Sequence, residues 1–174
     1  VYVRTVNQGI LSPGAGPESV GLVDVRTTMT CDPTSVVEIE IGGPAPAQFD
    51  RITVPAAWTI GGTLRISTIN GFVPGYGTTY DIITYGSHTG TFASIDGNGW
   101  TVQYLPDRVR LIAVCDADVN LDGNADQGDV DYLINVVAGG PNPTNIDPDF
   151  NRDGNVDQGD VDALINAVAG GGCD

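Results

Sequence analysis

The 174-residue chain has no lysine, one histidine, one methionine and three cysteines. Its seven basic residues are all arginines, set against 22 acidic ones for a formal net charge of −15. Nucleic-acid binding draws its affinity from cations that neutralise phosphates, so this balance excludes that class. No apolar run approaches the roughly 20 residues of a membrane span, which excludes an integral protein with a transmembrane helix. Nucleophile motifs, phosphate loops and Cys–His zinc spacings are absent too, and the expectation is a protein that is not an enzyme. What is abundant is glycine (24) and proline (11), with 41% apolar residues. That mixture is too apolar for a disordered chain and suits turn-rich β structure.

Charge divides the chain. Up to Cys115, six arginines stand against nine acidic residues; beyond it, thirteen aspartates stand against Arg152 alone. A nearly balanced body is therefore joined to an acidic tail. Three segments follow: 1–17, an N-terminal strand and Pro/Gly tether; 18–114, a β-rich domain; and 115–174, the acidic module.

In the body, strands are expected at Val36–Ile41, Arg51–Val54, Thr63–Ile69, Thr79–Tyr85, Thr91–Ile95, Thr101–Leu105 and Arg108–Val114. Val37, Ile39 and Ile41 alternate with Glu38 and Glu40, so one face is buried and one wet. Gly42-Gly43-Pro44, Gly61-Gly62, Pro74-Gly75, Asp96-Gly97-Asn98-Gly99 and Pro106-Asp107 supply the turns. Short strands at this spacing favour a sandwich, jelly roll or solenoid end over a parallel α/β sheet. The fold expected is mainly β, a β-sandwich or jelly-roll-like domain followed by a small α-helical module. Val1–Leu11 is one more strand candidate, detached by Ser12-Pro13-Gly14-Ala15-Gly16-Pro17. A strand on so loose a tether pairs within its own sheet or adds to the edge of a neighbouring copy.

Gly42-Gly43, Phe49-Asp50, Gly62-Thr63-Leu64, Gly71-Phe72-Val73-Pro74 and Gly90-Thr91-Phe92 give the stretch from Ile41 to Val114 a likeness. It resembles the β-rich segments that close the repetitive passengers of large secreted bacterial surface proteins. The resemblance implies a stalk or surface role and brings no catalytic residues.

The clearest pattern lies in the tail. Asp118-Val119-Asn120-Leu121-Asp122-Gly123-Asn124-Ala125-Asp126-Gln127-Gly128-Asp129 returns as Asp149-Phe150-Asn151-Arg152-Asp153-Gly154-Asn155-Val156-Asp157-Gln158-Gly159-Asp160. Each copy carries oxygen side chains at loop positions 1, 3, 5, 9 and 12 with glycine at 6, the spacing of an EF-hand calcium loop closed by Asp in place of Glu. Ca²⁺ takes six to eight oxygens, and alternate positions of a tightly curled loop aim theirs inward. Gly123 and Gly154 permit the bend, and Asn124 and Asn155 would each offer a backbone carbonyl. The expected ligands of two Ca²⁺ ions are Asp118, Asn120, Asp122, Asn124, Asp126 and Asp129, and Asp149, Asn151, Asp153, Asn155, Asp157 and Asp160.

A helix follows each loop. Val130, Leu133, Ile134 and Val137 fall at i, i+3, i+4 and i+7, Val161, Leu164, Ile165 and Val168 repeat them, and glycine pairs end both. No amphipathic helix precedes the first loop. A duplicated loop with only its exit helix resembles the dockerin type I module, over residues 116–172. That resemblance implies calcium-dependent attachment to a cohesin-like domain. The metal positions transfer; the recognition positions depart, with Gln127-Gly128 and Gln158-Gly159 at loop positions 10 and 11 and Ile134-Asn135 and Ile165-Asn166 where a basic pair is common.

Cys115 and Cys173 flank the module and would clasp a unit too small to hold itself by its core. Cys31–Cys115 is the competing pairing. A disulfide, together with a start at Val1 without Met, points to a processed, secreted protein. His88 reads as a solvated turn residue, and Glu38 and Glu40 as a polar strand face in preference to a glycosidase pair. Trp58, Trp100, Tyr76, Tyr80, Tyr85 and Tyr104 offer a carbohydrate-stacking alternative. The function expected is an extracellular calcium-binding structural protein, a subunit of a self-assembling fibre or surface layer whose partners are copies of itself. The alternative is a docking fragment for a cohesin-like partner.

Overall fold

The computed structural model describes residues 4–173, so Val1–Val3 of the expected N-terminal strand lie outside it. It divides into two compact units, Val1–Val114 and Cys115–Asp174. Among the described residues no helix is long and apolar enough to cross a membrane.

The first unit is a coil of parallel strands. Its elements are β1 (Arg4–Asn7), β2 (Ile10–Leu11), β3 (Leu22–Asp24), β4 (Thr28–Cys31), β5 (Val36–Ile41), β6 (Arg51–Thr59), β7 (Thr63–Thr68), β8 (Thr79–Thr89), β9 (Ser94–Asp96), β10 (Trp100–Leu105) and β11 (Arg108–Ala113). One sheet has the order β1-β4-β6-β8-β11-β10, with β3 also on β6; the other has β2-β5-β7-β9. The chain lays one strand in the first sheet, turns a corner, lays the next in the second sheet and climbs a rung. Every pair is parallel except β8–β11 and β11–β10, an antiparallel hairpin that ends the first sheet.

Side-chain ladders run along the coil. Leu11, Val37, Leu64 and Ile95 are in register across the second sheet, facing inward. Val37 and Leu64 in mid-ladder are fully buried, whereas Ile95 at the end is 40% exposed. On the outer face Arg65 binds Glu38 of the rung before, 27 residues away, at 2.7 Å and Asp96 of the rung after, 31 residues away, at 2.9 Å. Thr63 and Ser94 share a hydrogen bond of 2.8 Å in the same way. Such cross-strand pairs fix the register that alternation alone leaves open.

Backbone bonds stack the corners. Val36 N donates to Gly9 O, Thr63 N to Ser35 O and Ala93 N to Gly62 O, at 2.7–2.9 Å. Gly62 sits there at φ 73°, where an added Cβ would strike the Ser35 carbonyl oxygen, so only glycine fits. Inside, Trp58 is 1% exposed and its Nε1 donates to Cys31 Sγ at 3.3 Å. Pro55, lacking an N–H, lies where the β6–β8 register shifts between Val54 and Ala57.

The expected sandwich or jelly roll is therefore corrected to a short β-solenoid with an antiparallel end. Sandwiches and jelly rolls are antiparallel, and seven of the pairings here are parallel. The strand expected at Thr91–Ile95 is the three-residue β9, and β3 and β4 were not anticipated. The N-terminal segment divides at Gln8-Gly9 and pairs inside its own chain, β1 with β4 and β2 with β5.

The second unit holds two short helices, α1 (Gln127–Val137) and α2 (Gln158–Val168), joined by irregular chain. The expected small α-helical, dockerin-like module is corrected with the fold class: among the described residues this unit has only two short helices, one after each loop as the spacing predicts, and the rest is irregular chain and not a helical EF-hand module. Val130, Leu133 and Val136 of α1 are buried with Val161, Ala163 and Leu164 of α2, along with Val119 and Phe150. Ile134 and Ile165, expected on the buried face, are 47% and 48% exposed. Gly139 and Gly170 end the helices at φ 86° and 87°, the left-handed cap that favours glycine. A disulfide joins Cys115 and Cys173 with their Cα atoms 6.0 Å apart. Cys31 is free and buried.

Candidate metal centre

Loop and helix start are built as one piece. Asp126 caps α1, its Oδ1 accepting from Gly128 N at 2.7 Å, and Asp129 reaches back so that Oδ2 accepts from Asp126 N at 2.8 Å. This is a capping box closed by Asp in place of the usual Glu. The other oxygen of Asp129 accepts from Asn120 N at 3.0 Å, tying the helix to the start of the loop. In the second copy Asp157 caps α2, and Asp160 accepts from Asp157 N at 2.8 Å and Asn151 N at 3.1 Å. Asp129 and Asp160 are fully buried.

The loops curl around their first residue. Asp118 accepts from Asp122 N at 3.1 Å and Gly123 N at 3.0 Å, and Asp149 from Asp153 N and Gly154 N, both at 3.0 Å. Asn120 Oδ1 also accepts from Asp122 N, and Asn151 Oδ1 from Asp153 N, at 2.8 and 2.9 Å. Asp122 and Asp153 accept from Asn124 N and Asn155 N at 3.0 and 2.8 Å. Those N–H groups, followed by side-chain amides of the neighbouring asparagines, hold both carboxyls below the ordinary carboxylate range. Leu121 and Arg152 occupy the same loop position, both at φ 62°, a left-handed conformation that costs a non-glycine residue about 1 kcal/mol or more.

The twelve expected ligands thus fall in two matching loops, all hard oxygen donors of the kind that suits Ca²⁺ or Mg²⁺ over softer ions. Side-chain oxygens of ten of them, all but Asn124 and Asn155, accept from backbone N–H groups of their own loops. Among the described residues no three Asp, Glu, His or Cys side chains are grouped to hold a metal ion. The donor set fits a hard cation by chemistry and by the curl of the backbone, while a ready-made carboxylate cluster is not drawn together.

The segment between the loops was not read from the sequence. Tyr132 Oη lies 2.7 Å from Thr144 Oγ1 and 3.0 Å from Asn142 Oδ1, and Thr144 Oγ1 donates to Val119 O at 3.1 Å. The second copy has Ala163 in place of Tyr132, so this tie belongs to the first loop alone. The substitution of tyrosine by alanine at matched positions was the available signal.

The remaining candidates in the body are committed to structure. Glu38 belongs to the Arg65 ladder. Glu40 accepts from Glu18 N at 3.0 Å and Ser19 N at 3.1 Å. Asp50, fully buried and unanticipated, accepts from Gly21 N at 2.6 Å and Glu40 N at 3.0 Å. Glu40 and Asp50 thereby pin the chain that leaves the Pro/Gly tether, and burial pushes the Asp50 carboxyl up from its ordinary value. His88, expected in a solvated turn, is instead a half-buried residue of β8 opposite Trp58; its Nδ1 lies 3.3 Å from Gly90 O and its ring 4.8 Å from that of Tyr85. Of the aromatic residues, Trp58, Tyr80 and Tyr85 are buried, and Trp100 and Tyr104 pack against the core. No family model matches the chain, and no curated protein is detectably similar to it.

Proposed function

We propose that this is an extracellular, non-catalytic structural protein: a β-solenoid body followed by two calcium loops, working as a subunit of a self-assembling fibre or surface layer. The observation that carries the reading is the pair Asp129 and Asp160, fully buried carboxylates held by backbone N–H groups at the ends of two matching oxygen-lined loops. The tail offers one basic residue to thirteen aspartates, so a divalent cation is the natural counter-charge. Asp118, Asn120, Asp122, Asp126 and Asp129, with their equivalents in the second loop, would hold it, Asn124 and Asn155 contributing backbone carbonyls. The disulfide suits an oxidising, extracellular setting. Ions in both loops lower self-repulsion in the tail and stiffen it, which favours packing between copies.

Calorimetric titration of chelator-stripped protein with CaCl₂ tests the metal: two ions per chain are expected, one after Asp122→Ala or Asp153→Ala, and none would sink the assignment. Electron microscopy in millimolar calcium and after chelation tests the assembly, with filaments or large particles that shed subunits on chelation expected. Ile134 and Ile165, exposed at equivalent positions of the two helices, favour a second reading. In it, two bound ions with monomers in both conditions mark a docking module for another protein, such as a cohesin-like domain.

A further inference from the structure

We propose that β10 pairs, antiparallel and centred on Val102, with β10 of a second copy of the chain, giving a two-fold dimer whose first sheet runs through both subunits. This deepens the assembly part of the reading above and rests on it.

Among the described residues, β10 has a partner on one side only: β11. Folded proteins protect such edges with charge, proline, a bulge or shortness. The other edges have such protection. β2 has two residues, β3 has three including Asp24, β9 has three including Asp96, and β1 carries Arg4. β10, Trp-Thr-Val-Gln-Tyr-Leu, has six residues, four of them of high β propensity, with no charge, proline or glycine, and no register shift interrupts its pairing with β11.

The sequence of the strand identifies the partner. Outward from Val102 come Thr101 and Gln103, both polar, then Trp100 and Tyr104, both aromatic. A two-fold axis through Val102 places Trp100 of each copy opposite Tyr104 of the other, and Thr101 opposite Gln103. That is the self-complementarity an isologous interface requires. The register keeps faces matched. Trp100, Val102 and Tyr104 lie opposite Ala113, Leu111 and Val109 of β11 and pack against the core, while Thr101 and Gln103 are exposed. The half-covered aromatic row would then be closed by its own copy, in aromatic cross-strand pairs of the kind that stabilise sheets. Among the described residues, β1 and β3, which also have an open side in this sheet, have no aromatic residue to offer that row.

Sedimentation velocity of the full chain after chelation, and again in calcium, tests the pairing on three proteins. The wild type is expected to dimerise without calcium, because β10 lies outside the calcium loops. Thr101→Lys with Gln103→Lys sets like charges opposite each other and should weaken the dimer about tenfold or more. Thr101→Lys with Gln103→Glu sets opposite charges across the axis and should restore it, showing that loss in the first variant is not unfolding. A chelated wild type that stays monomeric at high concentration, or two variants that dimerise alike, overturns the strand pairing while leaving calcium-dependent assembly standing. Dimers that persist with no larger species in calcium support the pairing and overturn the fibre reading.

Discussion

The two units spend their sequence differently. In the body, inward ladders such as Val37–Leu64 exclude water along a continuous core, and polar residues are left to outer ladders and corners. In the tail, eight apolar side chains around two helices have to organise two long polar loops, and the connectivity comes from aspartate–amide bonds and one disulfide. Burial supplies in the first unit what cross-linking and cation binding would supply in the second, as is usual for units too small for a large core. The comparison predicts that the two unfold separately and respond to different reagents.

The largest effect expected is in the body. Trp58→Ala removes a side chain that is 1% exposed and leaves Cys31 Sγ without its donor. The cost should be about 3–5 kcal/mol, seen as a lower first or only body transition in a thermal melt, with the tail transition unmoved. A shift of both transitions together would show that the units are one cooperative structure.

Next comes the tail. Replacing Cys115 and Cys173 by serine opens a link between residues 58 apart in sequence and should cost the tail about 2–5 kcal/mol. The body should be untouched, since Cys31 takes no part. Under the calcium reading, free ion at a hundred times its dissociation constant returns about 2.7 kcal/mol per site. Calcium should therefore raise the tail transition in the serine variant and leave the body transition where it was. Calcium that moves the body transition and spares the tail would reverse the assignment.

How much of this the sequence disclosed also differs between the units. The loops are legible because each ligand-type residue has a fixed place relative to Gly123 or Gly154, and the second copy repeats it. The disulfide was one of two open pairings, and its placement at both ends of the acidic segment favoured it. The solenoid was only one of three all-β arrangements that the strand spacing allowed. A period of two reveals which face of Val36–Ile41 is buried but is the same for parallel and antiparallel neighbours. Gly61-Gly62, read as a turn, is a corner between sheets. Successive rungs align residues such as Glu38, Arg65 and Asp96 without repeating a sequence. Ile134 was misplaced because helical spacing fits two overlapping stripes, and the structure buries the one containing Val136. Asp50 had no signal at all, since its partners Gly21 and Glu40 are remote or backbone groups.

The smallest effect expected concerns pH, and it separates groups within the body. Hydrogen bonds from Arg110, then Arg108, hold the Asp81 carboxyl below its ordinary value despite partial burial. A depressed folded value means stability that is present above the unfolded value of 3.8 and is lost as pH falls through the folded one. Asp50 has the opposite sign: raised first by burial, its contribution is present below the unfolded value and lost as pH rises. Asp81→Asn should therefore flatten the acid limb of the body's stability curve, by about 1 kcal/mol or less for a pair this close to solvent. Asp50→Asn should steepen it. At the alkaline end burial, then Asp107, pushes Tyr85 up to about 12, so its contribution holds below pH about 10 and is lost toward 12. Tyr85→Phe removes that limb along with the contacts to Leu105 O and Arg108 O at 2.8 and 2.9 Å. If the acid limb survives Asp81→Asn unchanged, the Arg108–Asp81–Arg110 ladder is a solvated ornament of the hairpin, and the body depends on its apolar column alone.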